Sequence, residues 1–476
     1  LDTGILVLGA GLAGLRAAIA AKESAPSLRV TLVSPRQRPS GSSFANRNNA
    51  LGMQAPGPDQ AQAFVAEALR LAAPGLAEPQ LVRALAEDAP ACLEFLLGLG
   101  LAFRREPSGS LRLFPGCFST VPRAVVFDGL ADAHAAMLAQ ARGLGVAFLH
   151  GHEALRLAQE RPGARVSGAW LAPLRGGAVL NVRARCVVAA LGGPAPLFAR
   201  RICGPGGSGL GYGLLAEAGA QLVNTAYLQW FWVEAKTLAF VNPGELAWPS
   251  HLAQSSHLAQ LAQLAPARLQ HCPLAFGLPD AALDLELLSR LGPDGTVLAE
   301  HPARGTLALA LAAQAGNGGA LIDEQGRTGV PGLFACGECA SGMHGANRLG
   351  GGMVLSALVF GARAGQAAAQ AAASQAAGTP CPDPSPGPQP IIAAPPAAFQ
   401  NFLRRLRRGM QRFGLPGTPE TPGMTETPYI QARQVFAAHL RNIAGNADTP
   451  QRERLLVRSA LAVLAVLEGP DQTKQP

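Results

Sequence analysis

Three glycines near the start of the chain could do the most definite chemistry. Gly9, Gly11 and Gly14 follow the apolar run Ile5-Leu6-Val7-Leu8 and precede an Ala-rich stretch reaching to about Glu23, which is G-x-G-x-x-G spacing between a strand and a helix. There the first glycine permits a tight turn, the second lets a pyrophosphate approach the backbone, and the third lets helix and strand pack closely. The helix N-terminus adds partial positive charge. Dinucleotide binding is the expectation. The acid that commonly holds a ribose after the second strand is missing, because the chain reads Val33-Ser34-Pro35-Arg36, so that contact must differ. Far downstream, Cys336-Gly337-Glu338-Cys339 spells C-x-x-C, a spacing suited to a dithiol that exchanges two electrons; the end of a buried strand at Cys336 explains the same residues. No second C-x-x-C or Cys/His set follows, so neither a metal site nor an iron–sulfur cluster is expected within this chain.

The elements that must position these residues read as an α/β fold. Ile5–Leu8, the glycine turn, the helix and Val30–Val33 form a βαβ opening, and two further strands, Cys186–Ala190 and Gly332–Ala335, each end in glycine. Ligands bind a parallel sheet beyond the carboxyl ends of such strands. Residues 222–315 shift to Trp, Phe, Pro and Leu-rich pieces and read as an inserted second domain, 374–398 as a Pro-rich linker and 399–476 as a helical C-terminal region. The cofactor-binding domain is then split into 1–221 and 316–373. With 476 residues, 48% hydrophobic and 15% charged, the chain is too apolar for a disordered scaffold, and no apolar run reaches the length of a membrane span. The opening lacks a leader pattern, which makes the cytoplasm the expected location. Eight scattered cysteines suit reduced thiols. The balance of 39 Lys+Arg against 31 Asp+Glu gives +8, with Arg404, Arg405, Arg407, Arg408 and Arg412 clustered late; a solvated helix face explains that run, and no nucleic-acid partner is expected.

The string Gly345-Ala346-Asn347-Arg348-Leu349-Gly350-Gly351, preceded by Gly337-Glu338 and His344, resembles the flavin-proximal signature of the succinate dehydrogenase, fumarate reductase and L-aspartate oxidase flavoprotein family. Supporting segments follow in the family's order: Ser34, Gly41-Ser42-Ser43, Val121-Pro122-Arg123, Ala190-Leu191-Gly192-Gly193, Gly207-Ser208-Gly209 and Val330–Phe334. The resemblance implies a Rossmann-like FAD-binding domain split by an α+β capping domain, with a short helical C-terminal appendage. It also implies FAD held by Gly9, Gly11, Gly14, Ser34, Ser42, Ser43, Gly192, Gly193, Ser208, Gly337, Glu338, Arg348 and Gly351. The family's covalent histidine is absent from Gly41–Phe44, so the FAD is expected to be non-covalent. Arg348 matches the arginine that grips a substrate carboxylate, a task suited to its planar fork; a structural salt bridge is the other reading. His344, Gln314 and Arg290 complete the candidate catalytic set.

Several family features are replaced. One capping-domain histidine falls within Gln229-Trp230-Phe231-Trp232, a second falls on Gln314, and the proton-transferring arginine falls near Leu285-Glu286 with only Arg290 close by. Arg47 stands near where the flavin ring is expected, and His271 and His301 lie in the capping segment as substitutes for lost acid–base groups. Loss of a positioned proton donor costs on the order of 10²–10⁴-fold in rate, which argues against ordinary succinate–fumarate turnover. The expected activity is an FAD-dependent oxidoreductase transferring hydride at flavin N5 with an altered, anionic substrate. L-aspartate oxidase, and a degenerate FAD-carrying electron-transfer subunit with an iron–sulfur or other redox partner, are the alternatives.

Overall fold

Strand β1 (Asp2–Leu8) is buried on both faces from Ile5 onward, as its unbroken apolar sequence dictates for a central parallel strand. The computed structural model describes residues 1–248, 256–374, 396–413, 428–446 and 448–465. Most of the Pro-rich stretch expected as a linker, 375–395, lies outside them, as does Cys381. After β1 come helix α1 (Leu12–Ser24) and strands β2 (Val30–Ser34), β3 (Ala147–His150), β4 (His152–Leu157), β5 (Gly168–Pro173) and β6 (Leu180–Ala189).

The chain then leaves this sheet. Strand β7 (Leu228–Glu234), helices α2 (Ser256–Arg268) and α3 (Ala281–Ser289), and strands β8 (Val297–His301) and β9 (Gly305–Gly316) follow, the strands forming an antiparallel sheet with β9 between its two neighbours. Strand β10 (Leu333–Ala335) returns to the first sheet. That seven-stranded sheet runs β3-β2-β1-β6-β5-β4. The long β6 has two neighbours on one side: antiparallel β5 along Leu180–Arg183 and parallel β10 along Val187–Ala189. The sequence expectations for β1, α1, β2, β6 and β10 agree with this sheet, and the fold is a Rossmann-like FAD-binding architecture interrupted by a second, mixed helix–strand layer.

Helix α4 (Gly352–Ala373) packs lengthwise on α1. A Cβ added at Gly365 would lie 2.2 Å from the Ala17 carbonyl oxygen, and one at Gly361 would lie 2.9 Å from that of Ala13. The two backbones thus touch along a glycine seam. Helices α5 (Pro396–Phe413), α6 (Pro428–Gly445) and α7 (Gln451–Ala465) complete the chain, and α7 is tied to the body through Ser459, whose hydroxyl accepts from Gly213 N at 2.8 Å. Of the late arginines, Arg404, Arg405 and Arg408 are exposed. Arg407 instead turns inward and donates to the Pro196 carbonyl at 2.9 Å, with burial drawing its pKa down to about 10. Arg412 is exposed as well, so the solvated-face expectation holds for four of the five. No helix among the described residues is long and apolar enough to cross a membrane.

Candidate active site

A cavity of about 380 Å³ opens beyond the carboxyl ends of β1, β2 and β6. Its floor is the glycine turn. A Cβ at Gly9 would lie 2.2 Å from the Ala190 carbonyl oxygen, and one at Gly14 would lie 1.9 Å from that of Gly9, so neither position admits a side chain. Gly14 does not line the cavity; its task is to let α1 approach the turn. Gly11 does line it, and as the N-cap it brings no side chain to satisfy the first turn of α1. Only the Leu12 amide has a side-chain partner there, donating to Ser43 Oγ at 3.2 Å. This is a cradle for a pyrophosphate at a helix N-terminus.

Loops close over the cradle. Ser42 Oγ accepts from Gly204 N at 3.1 Å, and Ser40 O accepts from Gly206 N at 2.8 Å, stitching the 40–44 turn to the segment that carries Ser208. Ser34, Ser208, Gly192, Gly193 and Gly337 all line the cavity, though the Ser34 hydroxyl already donates to Arg36 O at 2.6 Å. Glu338 accepts from Gly316 N at 2.9 Å, and a Cβ on Gly193 would meet its carboxylate at 2.0 Å. Burial holds its pKa up at about 7. Gly351, with φ of 86°, caps α4, whose N-terminus faces the same cavity. A second helix dipole therefore presents partial positive charge to it.

The wall opposite is built from side chains. Arg348 is 6% exposed; its Nε donates to Asn317 Oδ1 at 3.0 Å and its Nη2 to Gln229 Oε1 at 2.6 Å. Both acceptors are neutral, and among the described residues Arg348 has no ion pair, so the salt-bridge reading does not describe it. Burial lowers its pKa to about 10 against the opposing pull of Glu338 and Cys117, so it stays a cation, and the groups in hydrogen-bond contact with it are neutral. Gln314 reaches the same cavity through a β-bulge: Gln229 pairs with Ala315 and Trp230 with Ala313, leaving Gln314 as the extra residue. Bulges re-aim side chains in this way. Phe231 and Gln229 line the cavity while Trp230 and Trp232 turn to the core, where Trp232 Nε1 donates to Asp284 Oδ1 at 2.8 Å. The tryptophans thus pack the second layer and do not meet a ligand.

The other candidate residues lie elsewhere. His344 is buried outside the cavity lining, with Nε2 3.3 Å from Ser356 Oγ, and burial pushes its pKa well below the usual range. Arg290 is exposed and paired with Glu286. Arg47 is exposed and donates to Thr237 O at 2.6 Å. His301 faces Glu245 at 3.6 Å, and His271 belongs to a buried cluster with Asp280. Cys339 Sγ lies 3.4 Å from Ala189 O and accepts from Leu191 N at 3.4 Å, and burial raises both thiols of the C-x-x-C. Asn317, Gln229 and Cys117 belong to the site but were not singled out from sequence. The only signal for Asn317 is an amide enclosed by Gly316, Gly318 and Gly319.

The family described as "FAD binding domain" matches residues 4–238 and 307–354. The chain is 32% identical over 401 residues to L-aspartate oxidase of Caulobacter vibrioides, covering 76% of each protein. It is 25% identical to the succinate dehydrogenase flavoprotein subunit of Bacillus subtilis, covering 76% of this chain and 68% of that one. Among solved structures, Sdh1 of Mycobacterium smegmatis in complex with UQ1 superimposes with a TM-score of 0.72 at 20% identity, over 100% of this chain and 88% of that chain. FrdA of E. coli quinol fumarate reductase gives 0.69 at 19% identity, over 98% and 88%. Those two likenesses establish the fold alone. Sequence family, fold and a glycine-built crevice agree with one another: this chain belongs to the FAD-dependent oxidoreductases of the L-aspartate oxidase, succinate dehydrogenase and fumarate reductase type, and FAD is its cofactor.

Proposed function

We propose that the protein oxidises or reduces a small carboxylate-bearing substrate held between the crevice and the β7–β9 layer, with Arg348 gripping the carboxylate. The bound FAD supplies two-electron chemistry, taking or giving a hydride at N5. The observation that carries this reading is the buried Arg348 guanidinium, whose contacts are two neutral amide oxygens. A buried cation with neutral partners is costly, and an incoming carboxylate relieves that cost through paired, charge-assisted hydrogen bonds. Gln229 and Asn317 fix the plane of the fork, and Gln314 offers an amide to a second polar group of the substrate. Phe231 keeps one side of the chamber apolar. His344 and Arg290, the other members of the candidate catalytic set, do not line the cavity and take no part in this reaction. FAD contacts fall to the glycines, serines and Glu338 of the crevice, without a covalent histidine.

L-aspartate oxidase is a second reading, favoured by the 32% identity to the Caulobacter enzyme across 76% of the chain. Under it Arg348 binds an amino-dicarboxylate. A redox partner subunit and a cytoplasmic location remain proposals consistent with the absence of a membrane-crossing helix among the described residues.

The test is ligand titration of the FAD-loaded protein, monitored by the flavin absorption spectrum, with L-aspartate, succinate, fumarate and monocarboxylates. At least one carboxylate is expected to perturb the spectrum saturably, and Arg348→Gln is expected to weaken it by about 10²-fold or more while FAD stays bound. Equal affinity in wild type and Arg348→Gln would remove Arg348 from the substrate site. A preference for L-aspartate over succinate would select the second reading.

A further inference from the structure

A pair of cysteines outside the C-x-x-C stands in the wall of the flavin chamber. Cys117 lines the cavity, and its carbonyl accepts from Gly350 N at 2.9 Å, so its loop is packed directly on the segment that carries Arg348. Cys272 lies in the turn after α2 and is exposed. The two loops are held together by their neighbours, Phe118 and His271, whose rings stack with centroids 4.2 Å apart at 21°. The ring stack sets the Cys272 loop beside the Cys117 loop, and hydrogen bonding from Cys272 is the main cause that draws the Cys117 pKa down to about 6, the same pairing pushing that of Cys272 up.

The loop bearing Cys272 is fixed by an unusual outlay of buried charge. Arg268, fully enclosed, donates to the carbonyl oxygens of His271 and Cys272, the latter at 3.2 Å, and pairs with the buried Asp284 at 3.2 Å. His271 is anchored through Nε2 to Asp280 Oδ2 at 2.5 Å and through Nδ1 to Pro273 O at 2.8 Å. A buried ion pair is a weak source of stability, but it does fix geometry. Here the geometry fixed is that of residues 271–273 against the Cys117 loop.

We propose that Cys117 and Cys272 form a redox-active dithiol that exchanges an electron pair with the bound FAD and is reached from solvent, through Cys272, by small thiols and disulfides. The reaction balances without another reagent. The S–H bond of Cys272 breaks, one S–S bond forms to the Cys117 thiolate, and two electrons with one proton pass to the oxidised flavin. In the opposite sense the disulfide is opened and reduced flavin is reoxidised. Small thiols restore the dithiol by exchange at the exposed Cys272, leaving as their own disulfide; attack at an accessible sulfur by a thiolate is the usual course of such exchange. Cys117 has the features expected of the inner, flavin-facing thiol: a stabilised thiolate and a position on the chamber wall. Cys336 and Cys339 have neither the stabilised thiolate nor the outlet to solvent.

The inference rests on FAD occupancy and not on the identity of the substrate, and its readout is an electron count. The FAD-loaded full-length protein is first oxidised with oxidised glutathione, freed of reagent, and titrated anaerobically with dithionite. Wild type is expected to take up about four electrons per FAD, against about two in Cys117→Ser and in Cys272→Ser, each with a normal flavin spectrum as evidence of folding. Peptide mapping of the oxidised wild type should join Cys117 to Cys272. Two electrons per FAD in wild type, or a Cys117–Cys272 peptide that persists after the flavin alone has been reduced and allowed to equilibrate, would overturn the proposal.

Discussion

The two walls of the cavity are made by opposite means. The crevice wall recognises through main chain: Gly9, Gly11, Gly14, Gly193 and Gly351 create space and direct two helix N-termini at it. The wall formed by β7, β9 and the Arg348 loop is lined by side chains, namely Arg348, Gln229, Gln314, Phe231 and Cys117. The difference teaches where each wall can change. A backbone cradle fails when any Cβ intrudes, whereas a side-chain wall can trade one group for another and so change its ligand while the fold stays the same.

The largest effect expected from this contrast is at Gly14. Gly14→Val places carbon against the Gly9 carbonyl and is expected to abolish both FAD binding and the soluble fold, read as flavin absorbance per protein after purification. Its sharper companion is Gly11→Ala, since a Cβ there meets only Ser43 Oγ at 3.4 Å. That variant is expected to fold normally but to bind FAD about tenfold or more weakly in an equilibrium titration. If both variants behaved alike, the separation between a packing glycine and a ligand glycine would be broken.

Glu338 comes next and separates the walls by pH. Its folded pKa of about 7 stands above the ordinary 4.5, so the folded FAD-free protein holds a proton that the unfolded chain releases. The associated stability is full below about pH 4.5 and is lost as pH rises through about 7. Thermal melts of the FAD-free protein should therefore fall by a few degrees between pH 5 and pH 8, and Glu338→Gln should flatten that decline. The smallest effects lie within the side-chain wall and its surroundings. Gln314→Leu is expected to weaken carboxylate binding about fivefold, the worth of one hydrogen bond, while Arg290→Ala changes it by less than about twofold because its ion pair with Glu286 is exposed. A large loss from Arg290→Ala would mean that the β7–β9 layer moves in the working enzyme.

How much of this was legible in the sequence follows the same division. The G-x-G-x-x-G turn, β1, α1, β2 and the Arg348 string were readable because backbone recognition demands particular residue types at fixed spacing. The side-chain wall was not. Gln314 reaches the cavity through a bulge whose register depends on a strand 86 residues away in sequence, by the pairing of Gln229 with Ala315. Strand alternation sends Trp230 and Trp232 to the core and leaves Phe231 facing the cavity, an orientation that their run of aromatic residues does not reveal. His344 and Arg290 were placed by likeness to a motif, which carries chain order but not side-chain direction. Cys117 and Cys272 gave no local pattern at all, since 155 positions separate two residues that only tertiary packing of Phe118 on His271 brings together.

The glycine seam between α1 and α4 also bears on how the protein is made. Gly361 and Gly365 lie against the backbone of α1, so one face of the helix that follows the dinucleotide turn stays uncovered until the ribosome has passed residue 365. At about 5–20 residues per second, α1 waits on the order of half a minute for its covering helix. During that interval the face of α1 that carries Ala13 and Ala17 is open to water and to chaperones. The crevice is complete only once the segment 336–351 arrives, so FAD gains its last contacts late in synthesis.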